Sequence, residues 1–99
     1  MPEKRVTVLA RARSKPGAEE RLKAELLSLV EPSRRDHGCI NYDLHQSADD
    51  PALFMFHENW ESRAALEAHL DTPHLEAFDE RTKELLAEPV EITLWELIV

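Results

Sequence analysis

The chain is short of several things, and each shortage closes off a class of protein. Its 99 residues include a single cysteine, Cys39, so neither a disulfide framework nor a cysteine-ligated zinc site can be written. The only two glycines are Gly17 and Gly38, too few for a P-loop or for the glycine-rich turn that cradles a dinucleotide. Apolar runs are brief: Ala52 to Phe56 is one and Leu97 to Val99 another, against the ~20 residues of a membrane span. Positive charge is also scarce. Twelve Lys and Arg stand against twenty Asp and Glu, a formal net charge of −8, which argues against a nucleic-acid binder or an anionic-membrane binder. Met1 to Arg5 is charged and has no apolar core of its own, so no secretory signal is expected and the cytoplasm is the expected compartment.

What is present reads as one globular domain over residues 1–99, with a hydrophobic content of 42%. Val6 to Arg13 begins β-branched and ends in alternating Ala and Arg, a strand leaving the core. After the Ser14–Gly17 turn, Leu22, Leu26, Leu29, Val30 and Ser33 follow helical spacing. Pro32 predicts a bend late in that helix and Gly38 supplies its left-handed end. Cys39 to Gln46 alternates, with Ile40, Tyr42 and Leu44 on one face. Asp49, Asp50 and Pro51 make a turn, and Ala52 to Trp60 is a second, aromatic-rich strand that closes a hairpin. Ser62 is placed to cap a helix from Arg63 to about Leu70, and Thr72-Pro73 restarts one with Thr as cap and Pro at the first position. Val90 to Val99 is the last strand.

The order β-α-β-β-α-β predicts an α+β, ferredoxin-like domain: an antiparallel sheet with two helices on one face. Alternation places Phe54, Phe56, Glu58 and Trp60 on one side of the second hairpin strand, and Leu53, Met55, His57 and Asn59 on the other. Both sides of the sheet carry apolar groups. Leaving one wet forfeits several kcal/mol at ~25 cal/mol per Å². The expectation is a homodimer packed through the free sheet face, with His45, His57 and Asn59 at the interface. Arg11 and Arg13 are expected to pair with surface carboxylates, and Cys39 to act as a small buried hydrophobe.

Three segments then stand out: Gly38-Cys39-Ile40-Asn41-Tyr42-Asp43-Leu44, Glu58-Asn59-Trp60-Glu61-Ser62, and Leu66-Glu67-Ala68-His69-Leu70-Asp71-Thr72-Pro73-His74. Together they resemble the antibiotic biosynthesis monooxygenase superfamily, and within it the small quinol monooxygenase branch, over roughly residues 5 to 97. The resemblance implies a dimeric α+β barrel, oxidation of a small phenolic or quinol aromatic by O2, and no metal, haem or flavin. Such chemistry needs a dry pocket, aromatic walls and a group that favours the phenolate, because the deprotonated ring itself passes the electron to O2.

On that basis the candidate catalytic residues are His74, Glu58 and His69, and the candidate substrate-binding residues are Trp60, Tyr42, Phe56 and Phe78. Each has a plain structural alternative. Trp60 matches the pocket tryptophan of the family and equally suits a core. Glu58, among aromatics, is either a base with a raised pKa or the partner of an ion pair, a helix terminus or His69. His69 and His74 are either catalytic or satisfied structural histidines. They are five apart across a helix break, not the i, i+4 of a helical metal pair, so no metal is expected.

The resemblance also has gaps. The asparagine and tyrosine that flank the tryptophan in polyketide oxidisers are replaced by Phe56 and Leu66, and the tryptophan and histidine of the haem-degrading branch by His69 and Asp79. Two alternatives stay open: a non-redox isomerase of a phosphorylated substrate, for which Arg11 and Arg34 would supply cations, or a small-ligand-binding dimer without catalysis.

Overall fold

A computed structural model describes residues 4–99. The elements run β1 (Val6–Arg13), α1 (Glu19–Ser28), α2 (Val30–Arg34), β2 (Cys39–Gln46), β3 (Leu53–Trp60), α3 (Arg63–Leu70), α4 (Pro73–Thr82) and β4 (Glu91–Trp95). The strands form one antiparallel sheet in the order β2-β3-β1-β4, so the first and third strands are central. That is the ferredoxin-like arrangement, α+β, with each predicted helix split in two.

Both splits have local causes. Pro32 lacks the N–H that would bond the carbonyl of Ser28, and the first helix breaks at Leu29, one turn earlier. The second break falls at Asp71-Thr72, ahead of Pro73 at the start of α4. Ser62 caps α3 as expected, its hydroxyl accepting from the Ala65 N–H at 3.1 Å. Thr72 does not cap α4. Its hydroxyl instead donates to the His69 carbonyl at 2.7 Å, which holds the end of α3 against the turn.

Register decides which side chains meet. Val8 lies opposite Glu58 and Leu94, and Ala10 opposite Phe56 and Ile92, so these share the helix-covered face. Small residues on β1 leave room there, and buried Leu22, Leu26, Leu29, Leu66 and Phe78 come down from the helices to form the core. Two expectations need correction. A bulge between Cys39 and Asn41 slips the pairing, so Cys39 rather than Ile40 stands opposite Trp60, and Ile40 is exposed. The last strand stops at Trp95, where its pairing with β1 ends opposite Thr7.

The free face of the sheet is less apolar than alternation implied. Across β1, β3 and β2 the Thr7 hydroxyl donates to Asn59 Oδ1 (2.6 Å), and Asn59 Nδ2 donates to Asn41 Oδ1 (2.8 Å). Asn41 Nδ2 then donates to Asp43 Oδ2 (3.0 Å). Leu9, Leu53 and Met55 sit half-buried around this polar ladder, and Trp95 is 55% exposed beside it. Among the described residues no helix is long and apolar enough to cross a membrane.

Candidate functional site

A cavity of about 200 Å³ lies between the sheet and the helices. Its floor is the covered face: Ala10, Ala12, Tyr42, Phe56 and Glu58. Leu26, Leu29, His69, Leu75 and Phe78 wall it from above, and Asp79 and Ile92 stand at its exposed edge. The small side chains of β1 create the space, since alanine at positions 10 and 12 cannot reach the helices.

Of the seven residues proposed from sequence, five line this cavity: Tyr42, Phe56, Glu58, His69 and Phe78. Trp60 and His74 do not. Trp60 is wholly buried behind the wall, its ring 4.5 Å from that of His69 and tilted by 34°. The Trp60 indole N–H donates to Glu58 Oε1 at 2.9 Å. The partner of Glu58 is thus a neutral donor two residues along its own strand, not a cation, a helix terminus or His69. An indole compensates little of the cost of burying charge. Burial pushes the carboxyl up to about 7, with the Trp60 bond working the other way. The Tyr42 phenol, 4.5 Å centre to centre from Phe56, is raised well above its ordinary value by burial and stays protonated. Cys39 is pushed up to about 11, again by burial first, which leaves an inert thiol.

The residue that sequence reasoning missed is Asp36, in the loop after α2. Its Oδ2 is 2.7 Å from His69 Nδ1 and 2.9 Å from His74 Nε2. The turn at Thr72 folds α4 back, so the five-residue spacing brings the two histidine rings to 6.1 Å rather than keeping them apart. A carboxylate at Nδ1 places that nitrogen's proton between them, so His69 Nε2 is the bare nitrogen, and among the described residues it has no protein partner. Burial lowers the His69 pKa, opposed by the Asp36 bond, so the ring is neutral at neutral pH and able to accept a proton. Gly38 fixes the loop: at φ +82° it sits so close to α3 that an added Cβ would lie 2.5 Å from Ala65 Cβ.

The arginines lie elsewhere. Arg34 bonds the Tyr42 carbonyl and Asp43, Arg11 faces Glu91, and Arg13 pairs with Asp50 at 2.7 Å. None of them lines the cavity, so the cations required by a phosphorylated substrate are not at this site.

A ferredoxin-like sheet roofed by split helices over an apolar cavity, with a carboxylate-held histidine in its wall, places the chain among small α+β domains that carry an internal cavity. The particular family follows from comparison. The family model described as antibiotic biosynthesis monooxygenase matches residues 5–81, and the chain belongs to that family. It is 39% identical over 89 residues to Rv0793 of Mycobacterium tuberculosis, covering 90% of this chain and 87% of that one. It is 34% identical over 89 residues to Escherichia coli "Probable quinol monooxygenase YgiN", covering 79% of this chain and 85% of that one. The chain spans 63% of the length of Synechocystis sll1783, to which it is 35% identical over 92 residues and by which 93% of this chain is covered. Among solved structures it is similar to PA3566 from Pseudomonas aeruginosa, with a TM-score of 0.93, 37% identity and coverage of 100% of this chain and 99% of that one.

Proposed function

We propose that this protein is a monooxygenase that oxidises a small quinol or phenol with O2 inside the cavity, without a bound cofactor. The observation that carries the reading is the 2.7 Å bond from Asp36 to a histidine that lines the cavity. His69 Nε2 takes the phenolic proton, and Asp36 holds the ring's orientation and stabilises the imidazolium that forms. The resulting phenolate passes an electron to O2 against the apolar walls of the cavity. For a quinol the balance is one O2 per molecule: one oxygen atom enters the ring, the other leaves as water, and the product is a hydroxyquinone. Protonated Glu58 donates to the second ring oxygen, and Tyr42, Phe56 and Phe78 hold the ring by its faces.

Size narrows the substrate. A cavity of ~150 Å³ is enough to hold benzene. The space here, about 200 Å³, suits one substituted ring and is too small for a polyketide. The relative named for quinol oxidation supports the same class. We assign Trp60 and His74 supporting parts: Trp60 backs His69 and holds Glu58, and His74 holds Asp36. The active unit we propose is a homodimer that covers the free sheet face, including Trp95 and the exposed Leu97 and Ile98.

Oxygen uptake with a panel of substituted hydroquinones tests the reading. Chelator-treated protein is expected to consume one O2 per quinol. His69→Ala is expected to lower kcat by ~10²–10⁴-fold, the usual worth of a positioned base, and Asp36→Asn by a smaller factor. Uptake no faster than autoxidation across the panel would remove the proposal.

A further inference from the structure

Asp36, His69 and His74 do more than share a hydrogen bond. Their ligand-capable atoms, one carboxylate oxygen and two imidazole nitrogens, all lie within 4.8 Å of one another. We infer that they form a binding site for a borderline divalent transition-metal ion, of which Zn²⁺ is the type, and that filling it switches the cavity off.

The donor set is the first argument. Two imidazoles and a carboxylate match zinc and its neighbours and do not suit calcium or magnesium, which prefer oxygen alone. The spacing is the second. Ligands ~2.0–2.1 Å from zinc stand ~3.3 Å apart at tetrahedral angles. Asp36 Oδ2 already stands 2.7 Å and 2.9 Å from the two nitrogens and opens slightly to admit an ion, while the two nitrogens, within 4.8 Å of each other, close around it. Access is the third. The Asp36 and His74 side chains are 17% and 25% exposed, so an ion enters from solvent without crossing the cavity, and water completes its coordination. The three ligands come from the loop after α2, the end of α3 and the start of α4, so the ion ties three elements together.

The consequence for activity rests on the monooxygenase reading above. Metal binding at His69 Nδ1 leaves the ring neutral and moves its proton to Nε2. The nitrogen facing the reaction then carries a proton and can no longer accept one. Asp36 orients a base, whereas a metal in the same place removes it.

The test is titration of chelator-treated full-length protein with Zn²⁺ alone, in competition with a chromogenic chelator. The expected result is one equivalent per chain. Thermal unfolding is expected to rise by about 10 °C at a hundredfold excess over Kd. His74→Ala and Asp36→Asn should each weaken zinc by more than the ~10–100-fold that loss of an outer-shell partner costs, while His57→Ala on the free sheet face leaves it unchanged. Circular dichroism of each variant separates ligand loss from misfolding. Absence of saturable uptake, or equal affinity in the wild-type protein and in folded His74→Ala, overturns the site. Quinol oxidation should fall in proportion to zinc occupancy and return with EDTA. Full zinc occupancy with undiminished oxidation overturns the switch and the base role of His69 while leaving the ion site standing. Zinc uptake by a protein that oxidises no quinol overturns the monooxygenase reading instead.

Discussion

The two faces of the sheet are cut from the same four strands, yet they solve different problems. On β3, alternate residues Phe54, Phe56, Glu58 and Trp60 are buried under helices, and Leu53, Met55, His57 and Asn59 between them are half-buried on a face that no described element covers. The covered face is held by packing, and the only ionisable group β3 contributes to it is the Glu58 carboxyl, served by the Trp60 indole of the same strand. The free face runs a hydrogen-bond ladder from Thr7 to Asp43. The lesson concerns tolerance of charge. Where the ladder runs, polar groups satisfy one another and remain near water. Beneath the helices one carboxyl is left underserved, and its pKa rises until it can act as an acid near neutrality.

The largest effect that would test this contrast is Phe54→Ala. Phe54 is 1% exposed and lies outside the cavity, so its loss is expected to cost ~3–5 kcal/mol in denaturant unfolding. Its sequence neighbour Met55, on the free face, should cost under ~1 kcal/mol on substitution by Ala in the monomer. If the two cost the same in dilute protein, the faces are not different.

Glu58→Gln is next. The folded protein holds the Glu58 proton with a pKa of about 7, against an ordinary 4.5. Stability from this group is therefore full below about 4.5 and drains away as pH climbs through 7, by about 3 kcal/mol in all. The glutamine carbonyl still accepts from Trp60, so the variant should lose that slope and melt higher than wild type at pH 8. Parallel curves for the two proteins between pH 4.5 and 8 would contradict the buried-carboxyl account.

Asn59→Ala removes two rungs of the ladder and should cost ~1–2 kcal/mol, since water can reach the freed groups. The smallest signal concerns oligomeric state. Trp95→Ala is expected to leave the isolated domain unchanged, because the ring is 55% exposed, yet to weaken the proposed dimer in sedimentation runs. An unchanged sedimentation profile would assign that face to something other than a second copy.

Much of this architecture could be read before any coordinates. Strand alternation gave the covered face of β3 residue by residue but failed at Ile40, beside the β2 bulge, and Ser62 and Pro73 marked helix starts correctly, because caps and periodicity are local. What could not be read was long-range or non-periodic. Asp36 sits in a loop and meets His69 and His74 across 33 and 38 residues of sequence, so no spacing rule reaches it. The one signal was its position two residues ahead of Gly38, a glycine whose tightness becomes apparent only beside Ala65. Trp60 matched a pocket residue by motif, yet the ring of His69 lines the cavity and Trp60 packs against that ring without lining it. The end of β4 falls short of what composition suggests, because Leu97, Ile98 and Val99 are strand-like side chains beyond the last pair with β1, Thr7 with Trp95.

Gly38 has a mechanical consequence. Its carbonyl accepts the Glu61 N–H at 2.8 Å while its bare Cα abuts Ala65, so the loop bearing Asp36 and the head of α3 are riveted together. The histidine and its anchoring carboxylate therefore travel as one part. Movement at the cavity's exposed edge, by Asp79 and Ile92, leaves that pair's alignment untouched.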